Sequence, residues 1–166
     1  AVGLTAADAG VSSVQRAEPY TAADGTIVDL GFVGQPTGAD EPELLNQLCQ
    51  ADLVPIVASI GADSGGQLLN VNADTLAGHL AARLGAARLL IAGGTPGVLD
   101  EHDRTIPSMS LDLLHGFLVD GRASAGMVAK LIACREARRA GVDRVDIVTG
   151  KHTDDLDTTA GTMIGD

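Results

Sequence analysis

The sequence contains few aromatic residues and few cysteines, and both shortages restrict what the protein can be. Aromatic residues make up 2% of the 166 residues and tryptophan is absent, so the core must be built from aliphatic side chains. The two cysteines, Cys49 and Cys134, are far apart in apolar helical contexts and form no CxxC pair. We predict that both are buried free thiols, which suits a cytoplasmic protein kept in a reducing environment.

Long apolar runs and clustered basic residues are missing as well. The sequence has no run of about eighteen apolar residues, the length that a membrane-spanning helix needs. Its formal net charge is −11, whereas binding to a nucleic-acid backbone requires clustered lysine and arginine. We therefore expect neither a membrane nor a nucleic acid among the partners.

Several familiar catalytic motifs are absent or incomplete. The sequence contains neither a G-x-x-x-x-G-K-[ST] P-loop nor a G-x-G-x-x-G dinucleotide motif. Residues 62–66 are close to the active-serine motif of trypsin-like proteases, but those enzymes need a histidine upstream and this chain has none before His79. We expect no metal held by protein ligands, because metal-ligand spacing is missing among the histidines His79, His102, His115 and His152.

Short apolar runs alternate with amphipathic helical patterns along most of the chain. Leu76, Leu80 and Leu84 recur at helical spacing in a predicted helix, and the longest predicted helix is 126–140. This alternation predicts an α/β fold, a three-layer αβα sandwich with a mostly parallel central sheet. A β-hairpin segment precedes the sandwich, with predicted strands at 11–14 and 26–30 and Asp24-Gly25 as turn residues.

Two amides and a carboxylate follow one of the predicted strands. Asn70 and Asn72 share one side of the extended segment because side chains alternate, and Asp74 falls in the first turn of the next helix. Ligands of open α/β sheets bind at the carboxyl ends of strands, which makes this junction a candidate site. Ordinary helix capping explains the same residues, and spacing alone favours capping by about two to one.

Lys130 is a second candidate, about one turn into the predicted helix that begins at Gly126. A cation at this end opposes the helix dipole by about a few tenths of a kcal/mol, which makes sense where an anion binds at the helix start. A helix that begins earlier, or a lysine that extends its ammonium group into solvent, explains the spacing equally well.

These residues and their flanking stretches resemble the acetylglutamate kinases of the amino acid kinase family. The run Asn-Val-Asn-Ala-Asp, with Gly-Met-x-x-Lys at this separation, is fairly specific. The resemblance is to the C-terminal part of that family, so we predict the end of an amino-acid-substrate domain at 1–60 and a nucleotide-binding domain at 61–166. The matching stretches follow the family order across nearly the whole chain: residues 1–4, 28–34, 54–61, 66–68, 70–74, 96–100, 126–130 and 161–162.

The resemblance implies phosphoryl transfer from ATP to the γ-carboxylate of N-acetyl-L-glutamate, a step of arginine biosynthesis. It implies two catalytic residues, Lys130 to neutralise charge on the phosphoryl group and Asp74 to organise the catalytic lysines. Asn70 and Asn72 would bind the amino-acid substrate, Asn70 at its α-carboxylate, and Mg²⁺ would arrive with the ATP phosphates. The implied nucleotide-binding residues are Gly94, Thr95, Pro96, Gly97, Val98, Leu99, Arg122, Ala123 and Ser124.

The sequence departs from the family pattern in three places. The family's N-terminal portion, with another lysine, glycine-rich phosphate loops and a substrate-binding arginine, is not among these 166 residues, so we expect little turnover from them alone. Gly93-Gly94 stand where the family usually has Thr-Asp or Ser-Asp. The segment between Gly150 and Gly161 is shorter and more acidic than the family's helix there.

Two other functions remain open at this stage. A kinase for a related acyl-amino acid, such as acetylaminoadipate or a carrier-protein-linked substrate, would share these motifs. A non-catalytic nucleotide-binding or regulatory module would be consistent with Gly93-Gly94 and the short C-terminal segment. The sequence is also compatible with a homo-oligomer.

Overall fold

The computed structural model describes residues 1–22, 24–38, 42–151, 155–156 and 158–165. The helices are α1 (Glu43–Gln50), α2 (Ala73–Arg83), α3 (Leu111–Val119) and α4 (Ala125–Arg139), and a short 3₁₀ turn spans Asp8–Gly10. The strands are β1 (Val2–Thr5), β2 (Ser13–Arg16), β3 (Tyr20–Thr21), β4 (Ile27–Val28), β5 (Val33–Thr37), β6 (Pro55–Ala58), β7 (Ile60–Ala62), β8 (Leu68–Val71), β9 (Arg88–Gly93), β10 (Ser108–Met109), β11 (Arg144–Thr149) and β12 (Gly161–Ile164).

The chain divides into two compact units, Ala1–Leu76 and Ala77–Asp166, and the division falls within α2. The first unit holds β1 to β8, and the second holds β9 to β12 with α3 and α4. The α/β class predicted from the sequence is confirmed, with sheets in which parallel and antiparallel pairs are mixed. The assignment of 1–60 to substrate and 61–166 to nucleotide binding stays a prediction.

The second unit is built on a four-stranded sheet with the strand order β10-β12-β11-β9. β9 and β11 are parallel and in register from Arg88 opposite Arg144 to Gly93 opposite Thr149. β12 runs antiparallel to β11 and parallel to β10. Because β9 and β11 are parallel and in register, their carboxyl ends lie at the same edge of the sheet, where the chain continues into loops.

The core of the second unit is aliphatic apart from Phe117, as the composition predicts. Four consecutive residues of β11, Val145–Val148, are buried, and because side chains alternate, both faces of this strand are covered. One face joins the hydrophobic core, and on the other the buried carboxylate of Asp146 accepts from Arg88 at 2.7 Å and Arg144 at 2.8 Å. Helices and strands contribute to this core, which includes Leu89, Ile91, Leu114, Phe117, Leu131, Cys134, Ala137, Val145 and Ile147.

The two cysteines differ in exposure. Cys134 is buried in the core of the second unit, as predicted. The predicted burial of Cys49 is wrong, because α1 is buried near its start at Leu45 and its last residues, including Cys49, are exposed. An apolar context in the sequence does not by itself bury a residue: Leu48 is half-buried, whereas the neighbouring Cys49 near the end of α1 is exposed.

The hairpin in the first unit is formed by β3 and β4, which pair antiparallel. Its turn lies at Asp24-Gly25 as predicted, and the backbone N–H of Ala22 donates to the carbonyl of Thr26 at 2.8 Å. The predicted partner strand at 11–14 is wrong, because β2 pairs with β5 instead. A tight turn joins only the residues that flank it, and β2 lies too far upstream in the sequence to be the partner of β4.

Two glycines of the first unit pack directly against Val14. A Cβ built on Gly61 would lie 2.9 Å from the Cβ of Val14 and would contact both methyl groups of that residue. A Cβ built on Gly34 would lie 2.9 Å from the Cβ of Leu69 and would also contact Val14. Glycine at these positions therefore lets β5 and β7 pack closely around the buried Val14 side chain.

We predict that Gly61→Ala destabilises the protein by roughly 1–3 kcal/mol, because the new methyl group overlaps Val14 in a packed interior. Urea denaturation measures this loss. Gly3→Ala in β1 is the matched control and should be near neutral, because a Cβ there meets nothing within 4 Å. In a Val14→Ala background the loss should shrink, and an equal loss in both backgrounds would contradict the packing argument.

Candidate functional site

Lys130 reaches the carboxyl end of β9. It lies in the second turn of α4, which begins at Ala125 with Ser124 as its N-cap residue. The lysine Nζ donates to the carbonyl oxygen of Ala92 at 3.4 Å. A Cβ built on Gly93 would lie 3.4 Å from the lysine Cε, so glycine at this position leaves room for the side chain beside the strand end.

A cleft of about 240 Å³ lies next to this strand end in the second unit. Thr95, Val98 and Leu99 line it from the loop that follows β9, and Asp100 and Asp103 continue that wall. The other wall is made by Arg122, Ala123 and Ser124, with Phe117 and Met127. The two stretches that the sequence predicted to bind nucleotide therefore meet in one cleft. Gly94, Pro96 and Gly97 belong to the same loop but are not among the residues that line the cleft.

The hydroxyl of Thr162 fixes the base of this cleft wall. Residues 98–106 form a hairpin in which the Ile106 N–H donates to the Val98 carbonyl at 2.9 Å. The other two backbone groups of this residue pair, the Val98 N–H and the Ile106 carbonyl, are joined through Thr162. Its Oγ1 accepts from the Val98 N–H at 2.8 Å and donates to the Ile106 carbonyl at 2.7 Å. Thr162 is fully buried, so this relay satisfies two backbone groups that water does not reach.

Gly97 is held in a conformation that side chains rarely adopt. Its φ is +137°, a region that is essentially restricted to glycine. A Cβ at this position would also lie 2.6 Å from Thr162 Oγ1 and 2.9 Å from Thr105 Cγ2. Close approach to Thr162 and backbone conformation therefore both require glycine here, which explains why the loop can turn so tightly above β12.

Asp100 organises the tip of the hairpin. Its Oδ1 accepts from the backbone N–H groups of His102 at 2.8 Å and Arg104 at 2.9 Å, and its Oδ2 accepts from Arg104 Nε at 2.9 Å. These bonds, chiefly the backbone N–H of Arg104 and then its side chain, lower the pKa of Asp100 from 3.8 to about 2. The carboxylate therefore stays charged at the edge of the cleft.

Arg122 covers the aromatic ring of Phe117 at the far side of the cleft. The guanidinium carbon lies 4.1 Å from the ring centroid, within the range of a cation–π contact. Arg122 Nη2 also pairs with Asp120 Oδ2 at 3.0 Å. The Phe117 ring and the Asp120 carboxylate therefore hold the half-exposed guanidinium of Arg122 in the wall of the cleft.

The remaining predicted residues lie in the first unit, at the end of β8. Asn70 is exposed in β8, and its backbone N–H donates to the carbonyl of Phe32 at 2.8 Å. Asn72 caps α2, because its Oδ1 accepts from the Thr75 N–H at 3.0 Å and from the Thr75 hydroxyl at 3.2 Å. Asp74 is half-buried in the first turn of α2. The capping interpretation is thus correct for Asn72, and the binding roles of all three residues stay predictions.

Sequence reasoning missed a second lysine at the end of β9. Lys151 follows β11 by two residues, and its Nζ would lie 3.6 Å from a Cβ built on Gly94. The structural role of Thr162 was also missed. A count of lysines would have pointed to Lys151, because the sequence contains only two. No comparable signal identifies Thr162, whose partners are distant in sequence.

The described part of the chain contains no cluster of three or more His, Cys, Asp or Glu side chains that could hold a metal ion. His152 lies outside the described residues. Among the described helices, none has the length and apolar character needed to cross a bilayer.

Comparison with known proteins identifies both sequence and structural relatives. The model of the amino acid kinase family matches residues 1–149. A protein of Rhodospirillum centenum named acetylglutamate kinase is 42% identical over 145 residues, which cover 84% of this chain and 47% of that protein. The chain therefore spans about half the length of the curated relatives it matches.

Two solved structures have similar folds. The structure of smu.665 from Streptococcus mutans UA159 has a TM-score of 0.75 and 25% sequence identity, and the match covers 93% of this chain and 56% of that one. N-acetylglutamate synthase from Neisseria gonorrhoeae, solved with coenzyme A and N-acetyl-glutamate, has a TM-score of 0.79 and 20% identity, and the match covers 99% of this chain and 37% of that one. At this identity the second match supports the fold alone.

We predict that Thr162→Val exposes the Val98 amide to faster hydrogen exchange, because the relay is lost and a buried N–H and C=O are left without a partner. Each unpaired group costs about 1–3 kcal/mol, so the free energy of unfolding should also fall. Thr162→Ser keeps the hydroxyl and should retain most of the protection. NMR-detected exchange checks this, and protection of Val98 in the valine variant equal to wild type would contradict it.

We predict that Asp100 titrates with a pKa of about 2 and that its contribution to stability is lost in acid. Because folding lowers this pKa, the contribution is complete above pH 3.8 and disappears as the pH falls towards 2. Carboxyl-carbon NMR measures the titration. Arg104→Gln should raise the pKa only part of the way to 3.8, because the backbone N–H, the largest cause, remains. A full return to 3.8 in this variant would show that the side chain dominates.

Proposed function

We propose that this chain, which belongs to the amino acid kinase family, supplies the nucleotide-binding part and part of the substrate site of an acetylglutamate kinase. The proposed reaction transfers the γ-phosphoryl group of ATP to the γ-carboxylate of N-acetyl-L-glutamate. We propose that this reaction is a step of arginine biosynthesis and takes place in the cytoplasm. One observation carries the proposal: the separate stretches 94–99 and 122–124, both expected at the nucleotide, contribute to one cleft.

In the proposed reaction a γ-carboxylate oxygen of the substrate attacks the γ-phosphorus while the bond from that phosphorus to the β,γ-bridging oxygen breaks. The products are an acyl phosphate and ADP. Such a step needs little covalent help from the protein, because its rate depends on positioning the reactants and on stabilising charge on the phosphoryl oxygens. Mg²⁺ enters as part of the MgATP substrate and neutralises phosphate charge.

Lys130 is proposed to contact the transferring phosphoryl group. Its placement supports this role, because an ammonium group at the carboxyl end of β9 lies where ligands of open α/β sheets bind. Gly93 and Gly94 add no side chains at this point, so phosphate oxygens can approach the backbone closely. Arg122, Ala123 and Ser124 are proposed to bind the nucleotide from the other wall of the cleft.

Asn70, Asn72 and Asp74 are proposed to serve the amino-acid substrate and the catalytic lysines. Asn70 is exposed at the end of β8, which leaves its amide available for a substrate carboxylate. The Asn72 oxygen already accepts from Thr75, so in this proposal Asn72 shapes the junction and offers its amide N–H groups to the substrate. Asp74 is proposed to organise the lysines through its charge.

A non-catalytic nucleotide-binding module is the second candidate. Gly93-Gly94 favour this non-catalytic module, because the end of β9 has no polar side chain that could contact a ligand at the two positions nearest the lysines. The similar fold of a protein named as a synthase shows that this architecture is not confined to proteins named as kinases. A kinase for another acyl-amino acid is a third candidate, which a substrate panel on the full-length protein would distinguish.

We predict that this chain binds MgATP and that Lys130→Ala weakens the binding about tenfold, because a charge-assisted contact to phosphate contributes about 1.5 kcal/mol or more. Isothermal titration measures the affinity, and thermal stabilisation by MgATP provides a second readout. Arg139→Ala, which removes an exposed cation from the last turn of α4, should leave the affinity unchanged. Equal affinities for wild type and Lys130→Ala would favour the non-catalytic module.

We predict little or no ADP release when these 166 residues are supplied with MgATP and N-acetyl-L-glutamate, because the chain spans about half of its relatives. A coupled ADP assay checks this prediction. Sustained ADP release that depends on acetylglutamate would overturn it and would show that these 166 residues are sufficient for turnover.

A further inference from the structure

The two lysines of this chain, Lys130 and Lys151, end at the same turn. Lys130 arrives from α4, and its Cε lies 3.4 Å from a Cβ built on Gly93. Lys151 arrives from the end of β11, and its Nζ lies 3.6 Å from a Cβ built on Gly94. Because the Cα atoms of successive residues are about 3.8 Å apart, both side chains end beside one short piece of backbone.

The backbone around Lys151 is tied to β9. The Gly150 N–H donates to the Gly93 carbonyl at 2.8 Å, which extends the parallel pairing one residue past the end of β11. The Lys151 N–H then donates to the Thr149 hydroxyl at 3.1 Å. These two bonds place Lys151 beside Gly94 through the sheet itself, so its position does not depend on a long surface loop.

The charge of the two lysines makes their convergence informative. The chain has a formal net charge of −11, yet both of its lysine side chains reach the carboxyl end of β9. Two cationic side chains that reach one strand end attract an anion bound there, because opposite charges attract. Gly93 and Gly94 add no side chains of their own at this strand end, and a backbone without side chains suits a tetrahedral oxyanion better than a bulky or apolar ligand.

We propose that Lys151 is a second phosphate-binding residue that acts together with Lys130 on the phosphates of the bound nucleotide. This inference rests on the proposed function, because it uses the same nucleotide site. Lys151 contributes a mobile point charge with three donors, which can follow phosphate oxygens as their charge changes. It should therefore increase affinity for ATP and ADP and have no effect on adenosine, which carries no phosphate.

The presence of only two lysines makes a direct test simple. In protein labelled with ¹³C at lysine Cε, two side-chain signals are expected, and Lys130→Met and Lys151→Met assign them. MgATP and inorganic tripolyphosphate are titrated separately into the same chain. We expect both signals to move with each ligand and to give one dissociation constant per ligand.

The affinities of variants provide the second readout. Lys151→Met should weaken MgATP binding about tenfold, Lys151→Arg should retain most of it, and adenosine binding should not change. Arg139→Met is the matched control, because it removes one exposed positive charge from the same unit away from the strand end. A loss in Arg139→Met equal to that in Lys151→Met would indicate a general charge effect and would overturn the proposal.

The outcomes separate this inference from the proposed function. If MgATP moves the Lys130 signal alone and Lys151→Met binds like wild type, Lys151 is not a phosphate ligand and the nucleotide site stands. If tripolyphosphate moves both signals while MgATP does not bind, the lysine pair stands and the proposed nucleotide function fails. If neither ligand moves either signal, both ideas are wrong.

Discussion

The parallel pairing of β9 with β11 is the constraint on which the candidate site depends. Six residue pairs, from Arg88 opposite Arg144 to Gly93 opposite Thr149, bring the two strands to an end at the same level. The loop that lines the cleft leaves from one strand, and Lys151 follows the other. A slip of one residue would turn Val145 and Ile147 out of the hydrophobic core and Asp146 into it, so the core itself holds this register.

The loop above this strand end is fixed by contacts between distant parts of the sequence. Thr162 lies 64 residues from Val98, and the hydroxyl bond between them is buried. Gly97 fits only because it has no side chain, and Asp100 draws three backbone and side-chain donors around itself. On the side of the hairpin, the wall of the cleft is therefore held by buried and charge-assisted hydrogen bonds. The opposite wall depends on Arg122, whose position is set by Phe117 and Asp120.

Local patterns in the sequence predicted the parts of the structure that local physics determines. The cap at Asn72 and the turn at Asp24-Gly25 follow from short-range hydrogen bonding, and both are confirmed. Motifs that match a known family predicted two further features. These are the position of Lys130 near the start of α4 and the grouping of residues 94–99 with 122–124, which contribute to one cleft. The catalytic and binding roles of these residues remain proposals.

The missed features depend on tertiary contacts that no local pattern encodes. The packing of whole elements determines three of these features. They are the pairing of β2 with β5, the exposure of Cys49, and the approach of Lys151 to Gly94. The hydrogen bonds around Asp100 likewise have no signal in the sequence, because an acidic run in a loop does not show which backbone N–H groups will face the carboxylate. Sequence periodicity finds the elements, whereas contacts between elements decide these details.

The Thr162 relay has a consequence for how the hairpin meets solvent. Its hydroxyl acts as a buried water molecule does in many proteins, since it accepts from the Val98 N–H and donates to the Ile106 carbonyl. A trapped water would cost up to about 2 kcal/mol of lost freedom and could leave whenever the hairpin opened. A hydroxyl that is bonded to the chain cannot diffuse away, so after each local opening the hairpin can close again without capturing a water molecule from bulk.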